Sequence, residues 1–238
     1  MALNRFIASL ALSVLLASPL AAQTLDSVPF DKQLKLANVG DVDAQYAVGL
    51  AFETGSNGKT DEAEAAKWYR KAALQGQVEA QFRLARLVSK GTKGLKQDLA
   101  TALKLYEDAA RKGHAPAMNA LGQVYQSGQG VPADPVKAVE WYIKAADLKL
   151  AEAENNLGMM YLEGKGANRD LGEAFKLFER AAAQGDLWGL NNLGGMYEMG
   201  WGVAADKQKA LELYRQALAK GNASAGKNVD RLAQAPSP

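Results

Sequence analysis

The sequence predicts an all-α solenoid built from about five helix-turn-helix repeats of 36 residues, and three observations support this fold class. Similar phrases recur every 36 residues: LGQVYQSGQG begins at Leu121, LGMMYLEGKG at Leu157 and LGGMYEMGWG at Leu193. Each unit contains two segments in which small and apolar residues recur at helical spacing. A glycine and then an aspartate separate the two segments in every unit.

Composition narrows the possible functions. The 238 residues are 48% hydrophobic, enough apolar mass for a core, and carry a net charge of +2. The chain contains no cysteine and a single histidine, His114, which excludes a thiol nucleophile, a disulfide and a zinc site of Cys/His type. We therefore expect no cofactor and no metal. Basic and acidic residues number 28 and 26, so no sustained positive surface is predicted and no nucleic-acid partner is expected.

The first element is a secretory signal peptide over residues 1–22. Arg5 precedes an apolar run from Phe6 to Leu16, and small residues end the segment. The run is shorter than the ~20 residues that span a bilayer, and no cysteine follows it for acylation. We expect cleavage after Ala22, no membrane insertion of the mature chain and, in a Gram-negative cell, a periplasmic location.

The repeats lie between two capping segments. Residues 23–43 form the N-terminal segment, in which Asp31 to Val39 predicts a capping helix. The repeats follow as 44–79, 80–116, 117–152, 153–188 and 189–224, the second being one residue longer. Residues 225–238 predict a short closing helix, Ala225 to Gln234, and a disordered tail. Caps are required because each repeat buries its apolar face only against its neighbours.

The first helix of each repeat places small or apolar residues on one face, as Ala153, Leu157 and Met160 illustrate. A glycine ends this helix in every repeat, because helices commonly terminate with a residue in the left-handed conformation. The glycines are Gly55, Gly91, Gly128, Gly164 and Gly200.

The second helix begins after an aspartate, whose carboxylate can accept from the free N–H groups of the first turn. These predicted N-caps are Asp61, Asp98, Asp134, Asp170 and Asp206. Alanine and, four residues later, an aromatic residue follow in each repeat; the aromatics are Tyr69, Tyr106, Tyr142, Phe178 and Tyr214. Small residues let helices approach and aromatics fill the grooves beside them, so these side chains are predicted to form the core.

The combined pattern, A-x-x-x-LG-x-x-Y-x-x-G followed by a loop and D-x-x-KA-x-x-WY-x-KAA-x-x-G, resembles the Sel-one-like repeat (SLR), a relative of the tetratricopeptide repeat. The third unit matches it through Ala117, Leu121, Gly122, Tyr125, Gly128, Asp134, Lys137, Ala138, Trp141, Tyr142, Lys144, Ala145 and Ala146. The resemblance covers about Ala44 to Ala225. Ala85 and Val88 replace the glycine and tyrosine of the motif, and Lys149 replaces its terminal glycine. Altered turns or packing are expected at these three positions.

The resemblance implies a right-handed superhelix whose first helices line a concave groove. Positions 3, 7, 10 and 11 of the first helices are then expected to face a partner protein or peptide. From these positions the candidate partner-binding residues are Tyr46, Leu50, Glu53, Phe82, Arg86, Asn119, Gln123, Gln126, Asn155, Met159, Leu162, Asn191, Glu198 and Met199.

Three asparagines, Asn119, Asn155 and Asn191, form a row at 36-residue spacing within this set. A side-chain amide presents both a donor and an acceptor, as an extended peptide backbone does, so the row favours peptide capture. The alternative is that each asparagine bonds locally to its own helix or turn.

The function that follows is a non-catalytic, monomeric scaffold or adaptor. The resemblance alone implies the processes in which such a scaffold acts: envelope or exopolysaccharide assembly, secretion and sensor-kinase regulation. One alternative is an immunity protein or an inhibitor of a secreted effector. Another is a cell-wall or β-lactam hydrolase that uses groove carboxylates such as Glu53, Glu163 and Glu198. His114 lies in the turn KGHAP with no nucleophile elbow nearby, so no catalytic residue is predicted.

Overall fold

The computed structural model describes Leu25 and residues 28–234, so the predicted signal peptide lies outside the described residues. Over this part of the chain the secondary structure is helical, without a strand. The twelve helices of residues 28–234 are α1 (Phe30–Asn38), α2 (Val42–Thr54), α3 (Glu62–Leu74), α4 (Val78–Lys90), α5 (Leu99–Arg111), α6 (Ala115–Ser127), α7 (Pro135–Asp147), α8 (Ala151–Glu163), α9 (Leu171–Ala183), α10 (Leu187–Met199), α11 (Lys207–Ala219) and α12 (Ala223–Ala233). None of these helices is long and apolar enough to cross a bilayer.

Ten of the helices form the five repeats, from the pair α2 and α3 to the pair α10 and α11. Each helix packs against the one before it and the one after it, and α8 also contacts α10. The fold is therefore an all-α repeat solenoid. The flanking helix α1 precedes the first repeat over Phe30–Asn38, and α12 follows the last over Ala223–Ala233.

The core consists of the small residues and aromatics of the repeat. Tyr69, Tyr142 and Phe178 are fully buried, and an alanine four residues before each is buried beside it. The approach is close: a Cβ added to Gly122 would lie 2.4 Å from Cε1 of Tyr142. In the second repeat Ala85 takes the place of this glycine, and Tyr106 is nevertheless 5% exposed. Packing there accommodates the extra methyl group.

The predicted N-caps of the second helices are confirmed. In each case one carboxylate oxygen accepts from the backbone N–H three residues further on, at 2.9 to 3.1 Å; the five residues are Asp61, Asp98, Asp134, Asp170 and Asp206. Four of the glycines at the ends of the first helices are left-handed: Gly55, Gly128, Gly164 and Gly200. Gly91 adopts φ 68° and ψ 147° instead, where the longer loop of the second repeat forms a tight turn between Thr92 and Leu95.

The turn between α7 and α8 keeps its backbone conformation at Lys149, where altered turns or packing were expected. Lys149 has φ 61°, the only positive φ of a non-glycine residue in the described part of the chain. The corresponding glycines, such as Gly113 and Gly185, have φ 84° and 81°. The turn therefore keeps the left-handed conformation, although Cβ is disfavoured there. The difference lies in the next residue, Leu150, which gives α8 no side-chain cap.

Candidate binding groove

The first helices of repeats 1 to 3 enclose a cavity of about 800 Å³, to which the start of α8 also contributes. Six of the predicted groove residues line it: Glu53, Phe82, Arg86, Asn119, Gln123 and Gln126. Arg86, Gln123 and Gln126 are exposed, whereas Glu53 and Phe82 are half-buried. The structure thus brings the amino-terminal part of the predicted groove together into one concave site.

The other eight predicted residues lie outside this cavity. Tyr46 and Leu50 are half-buried on α2. The remaining six lie on the first helices of repeats 4 and 5: Asn155, Met159 and Leu162 on α8, and Asn191, Glu198 and Met199 on α10. Met199 is 56% exposed, whereas Asn155 is buried. These residues occupy the same repeat positions as the cavity residues but do not line the cavity.

Charged groups connect the first two repeats. Arg83 on α4 donates from Nη1 to Oε2 of Glu53 at 3.0 Å and from Nε to Oε1 of Glu79 at 2.9 Å. The Tyr69 hydroxyl donates to the same Glu53 oxygen at 2.5 Å. Burial raises the pKa of Tyr69, so its hydroxyl remains a donor at physiological pH. Glu53, predicted to face a partner, is therefore held from two directions within the protein.

His114 extends this network to the third repeat. Its Nδ1 accepts from the Ala117 N–H at 3.1 Å and so caps α6. Nδ1 is then unprotonated, and Nε2 carries the proton that is donated to Oε2 of Glu79 at 2.9 Å. This hydrogen bond lowers the pKa of Glu79, and Arg83 lowers it further. Both ring nitrogens of His114 are thus hydrogen-bonded within the protein.

The asparagine row pairs across repeats. Oδ1 of Asn119 accepts from Nδ2 of Asn156 at 3.0 Å, and Oδ1 of Asn155 accepts from Nδ2 of Asn192 at 2.8 Å. We call these two pairs, together with the bond from Asn228 to Asn191 at 3.1 Å, the asparagine ladder.

Each bond of the ladder joins residues 37 apart, so neither local bonding nor a free amide row describes it. Asn119 and Asn155 are only 3% and 8% exposed. Their carbonyl oxygens are therefore committed to holding successive first helices together.

The carboxylates considered for hydrolysis have structural partners. Arg231 forms an ion pair with Glu198, and the Tyr214 hydroxyl donates to Glu198 at 2.9 Å. The hydrogen bond from Arg231 lowers the pKa of Glu198, whereas a glycosidase acid needs a raised pKa. Glu163 pairs with Lys165 at 2.7 Å. Within residues 28–234 no group of three His, Asp or Glu residues is placed to hold a metal ion.

The sequence analysis missed Glu79, Arg83 and Asn156, which connect repeats beside the groove. Arg83 and Asn156 each directly follow a residue assigned to the groove, whereas Glu79 directly precedes the core residue Ala80. A strict division into core and groove positions therefore left them out. A signal was present for the ladder: adjacent asparagines recur as Asn155-Asn156 and Asn191-Asn192, and 37 residues separate each donor from its acceptor.

Several solved structures share this architecture. A protective antigen of uropathogenic Escherichia coli with an SLR fold is 34% identical, with a TM-score of 0.75 over 85% of this chain, and the chain covers 43% of that antigen. A Sel1 repeat protein from Oxalobacter formigenes is 26% identical, with a TM-score of 0.75 over 88% of this chain and 92% of that one.

An immunity protein from Pseudomonas aeruginosa is 24% identical, with a TM-score of 0.58 over 82% of this chain and 75% of that one. At that identity the likeness concerns the fold. No curated protein sequence matches the chain.

The family comparison agrees with the repeat geometry. The Sel1 repeat matches five times, over residues 42–77, 78–114, 115–150, 151–186 and 189–222. These ranges begin at or close to the first residues of α2, α4, α6, α8 and α10. The chain therefore belongs to the Sel1 repeat family, whose members are generally protein-interaction scaffolds.

Proposed function

We propose that this chain is a non-catalytic, monomeric scaffold of the periplasm that binds a partner protein or peptide in the groove formed by α2, α4 and α6. The observation that carries the proposal is the concave cavity of about 800 Å³, whose walls combine exposed polar side chains with half-buried apolar ones. Sites of this size with convergent polar groups suit ligand recognition. Family membership supports the same class of function.

The groove residues divide into two roles. Arg86, Gln123 and Gln126 are exposed in the cavity and meet the partner, while Phe82 supplies apolar surface beside them. Met159, Leu162 and Met199 extend the contact surface along α8 and α10, as do Tyr46 and Leu50 along α2. Glu53, Glu198 and the three predicted asparagines hold the repeats in place, because their side chains are bonded within the protein and are less exposed than Gln123 and Gln126, which also have internal hydrogen bonds.

Capture from a native envelope extract tests the proposal with two matched variants. Gln123→Trp fills the cavity from α6, whereas Gln208→Trp adds the same side chain at an exposed position of α11. We expect a partner that binds the wild type and Gln208→Trp, and that Gln123→Trp fails to retain. Circular dichroism must show equal helicity for all three proteins.

Other outcomes would contradict the proposal. Equal recovery by both tryptophan variants moves the interface away from the groove. A partner that proves to be a secreted toxin, neutralised on binding, identifies an immunity protein instead. Turnover of peptidoglycan or a β-lactam that is lost in Glu163→Gln or Glu198→Gln without unfolding would establish a hydrolase.

Export is tested separately. The chain recovered from the periplasm should have the mass of a protein that begins at Gln23, since the apolar run of residues 6–16 is followed by small residues up to Ala22. Recovery of the uncleaved chain in the cytoplasm would contradict the proposed location.

A further inference from the structure

Arg86 differs from the other charged groups of the cavity. Its side chain is exposed, and its guanidinium carbon lies 5.9 Å from the centroid of the Phe82 ring. It forms no ion pair with any residue in the described part of the chain, whereas its neighbour Arg83 pairs with two glutamates. Phe82 in turn packs against His114, with ring centroids 4.9 Å apart. The Arg86 guanidinium thus lies beside an aromatic ring that is itself packed against His114.

The carboxylates that line the cavity are already engaged. Glu53 accepts from Tyr69 and Arg83. Glu62 pairs with Lys90 at 3.2 Å, so the second cation of the cavity is also neutralised. Glu152 accepts from Nε2 of Gln123 at 3.0 Å, a neutral donor that leaves the charge of this carboxylate in place. Arg86 is therefore the cation among the described lining residues that has no ion-pair partner, and an incoming carboxylate matches its forked donors.

The shape of the cavity favours a chain that passes through it. Lining residues lie on both sides of Arg86: Glu53 and Glu62 toward repeat 1, and Gln126, Gln129 and Glu152 toward repeats 3 and 4. Nε2 of Gln123 and Oε1 of Gln126 are bonded to Glu152 and Tyr142, but the other atoms of these amides, Oε1 of Gln123 and Nε2 of Gln126, offer an acceptor and a donor that an extended backbone can use. A single unpaired arginine complements one negative charge, whereas a phosphoryl group carries nearly two.

We propose that the groove selects a peptide segment with an internal aspartate or glutamate, whose carboxylate pairs with Arg86. The inference rests on the proposed function and adds the chemical class of the partner. It also predicts a dependence on ionic strength, because the pair remains partly exposed to solvent and is screened by salt.

A selection from random octapeptides with amidated C-termini tests the proposal, because amidation removes the terminal carboxylate. The library is screened against the mature protein and against Arg86→Gln, Gln123→Trp and Arg215→Gln. Arg215 is an exposed arginine of α11, so its substitution removes the same charge outside the groove. Selected peptides are then measured by fluorescence anisotropy beside copies with Glu replaced by Gln.

We expect enrichment of acidic peptides on the wild type and on Arg215→Gln. For such a peptide, Arg86→Gln or replacement of its Glu by Gln should weaken binding about fivefold, and the two changes together should add little. Peptides that Gln123→Trp rejects but that show no acidic preference would overturn this inference and leave the groove function intact. Peptides that Gln123→Trp still binds, or the absence of any binder, would overturn both.

Discussion

Two contacts between successive repeats use different side chains at the same pair of repeat positions. Between repeats 1 and 2, Tyr46 faces Arg83, whose guanidinium carbon lies 5.9 Å from the ring centroid. Between repeats 4 and 5, Asn155 bonds to Asn192 at 2.8 Å. Both pairs are 37 residues apart. The spacing between the two paired positions is therefore the same whichever side chains occupy them.

This difference separates the repeats that border the proposed binding site from the repeats that are joined by the asparagine ladder. At the charged junction, formed by Glu53, Glu79, Arg83 and His114, half-buried ion pairs border a polar cavity. Along the asparagine ladder, neutral amides join the later repeats and none of the pairs titrates. A repeat protein can thus vary its binding surface in one half while the other half keeps a uniform connection.

The largest effect is expected from Gly122→Ala, which adds a methyl group 2.4 Å from the buried Tyr142 ring. Because that ring is enclosed and its hydroxyl is bonded to Gln126, unfolding free energy should fall by about 3 kcal/mol. Chemical denaturation of the purified protein measures the change.

Repeat 2 supplies the control for this prediction. Ala85 occupies the equivalent position, and Ala85→Gly should reduce stability by only about 1 kcal/mol, through helix propensity. If Gly122→Ala proved as mild as this, Tyr142 would accommodate an added methyl group as readily as Tyr106 does.

Asn155→Ala should lower the free energy of unfolding by about 1.5 kcal/mol, since it leaves the Asn192 amide without its acceptor. The double variant with Asn192→Ala should lose less than the sum of the single losses. Asn168→Ala, at an exposed loop position, is the matched control and should change little. Additive losses would show that the ladder does not couple the repeats.

Lys149→Gly should raise stability by about 1 kcal/mol, because it relieves a left-handed backbone at φ 61°. The reverse experiment is Gly113→Ala: φ is 84° there and an added Cβ meets nothing within 4 Å, so a loss reports backbone conformation alone. Thermal unfolding measures both variants. A neutral result for both would mean that the turns between repeats do not limit stability.

The smallest effect concerns pH. Glu79→Gln should cost about 0.5 kcal/mol at pH 7, a value typical of partly exposed ion pairs. The pKa of Glu79 is lower in the folded protein than its ordinary value of 4.5, so the ionised carboxylate stabilises the fold above that pH. This contribution disappears as the pH falls through the lowered pKa.

The cost of Glu79→Gln should therefore be smaller at pH 3 than at pH 7, while that of Asn155→Ala should be the same at both pH values. Denaturation series at the two pH values make the comparison, in variants that keep Arg83 and His114. A cost of Glu79→Gln that is equal at the two pH values would show that shape, rather than charge, holds the first junction.

Periodic features of the fold were accessible from the sequence. The repeat length, the aspartate caps and the buried aromatics each depend on residues close together in one unit, and five copies reinforce the pattern. The network of Glu79, Arg83 and His114 was not accessible, because it depends on how far each repeat rotates against the next. Altered turns or packing were expected at Lys149, and the structure keeps the left-handed turn there, since the packing of α7 against α8 imposes a conformation that lysine disfavours.

The asparagine ladder also has a direction: repeats 4 and 5 each give an acceptor to the element that follows and a donor to the repeat before. Repeat 4 contains both groups, Asn155 and Asn156, and α12 continues the series with Asn228. A tandem duplication of residues 151–186 would therefore lengthen the array while preserving every bond of the ladder. Duplicating the second repeat would instead create a second Arg83 that lacks the Glu53 of repeat 1. The carboxyl-terminal half is thus the part of the gene in which repeat number can change by simple recombination.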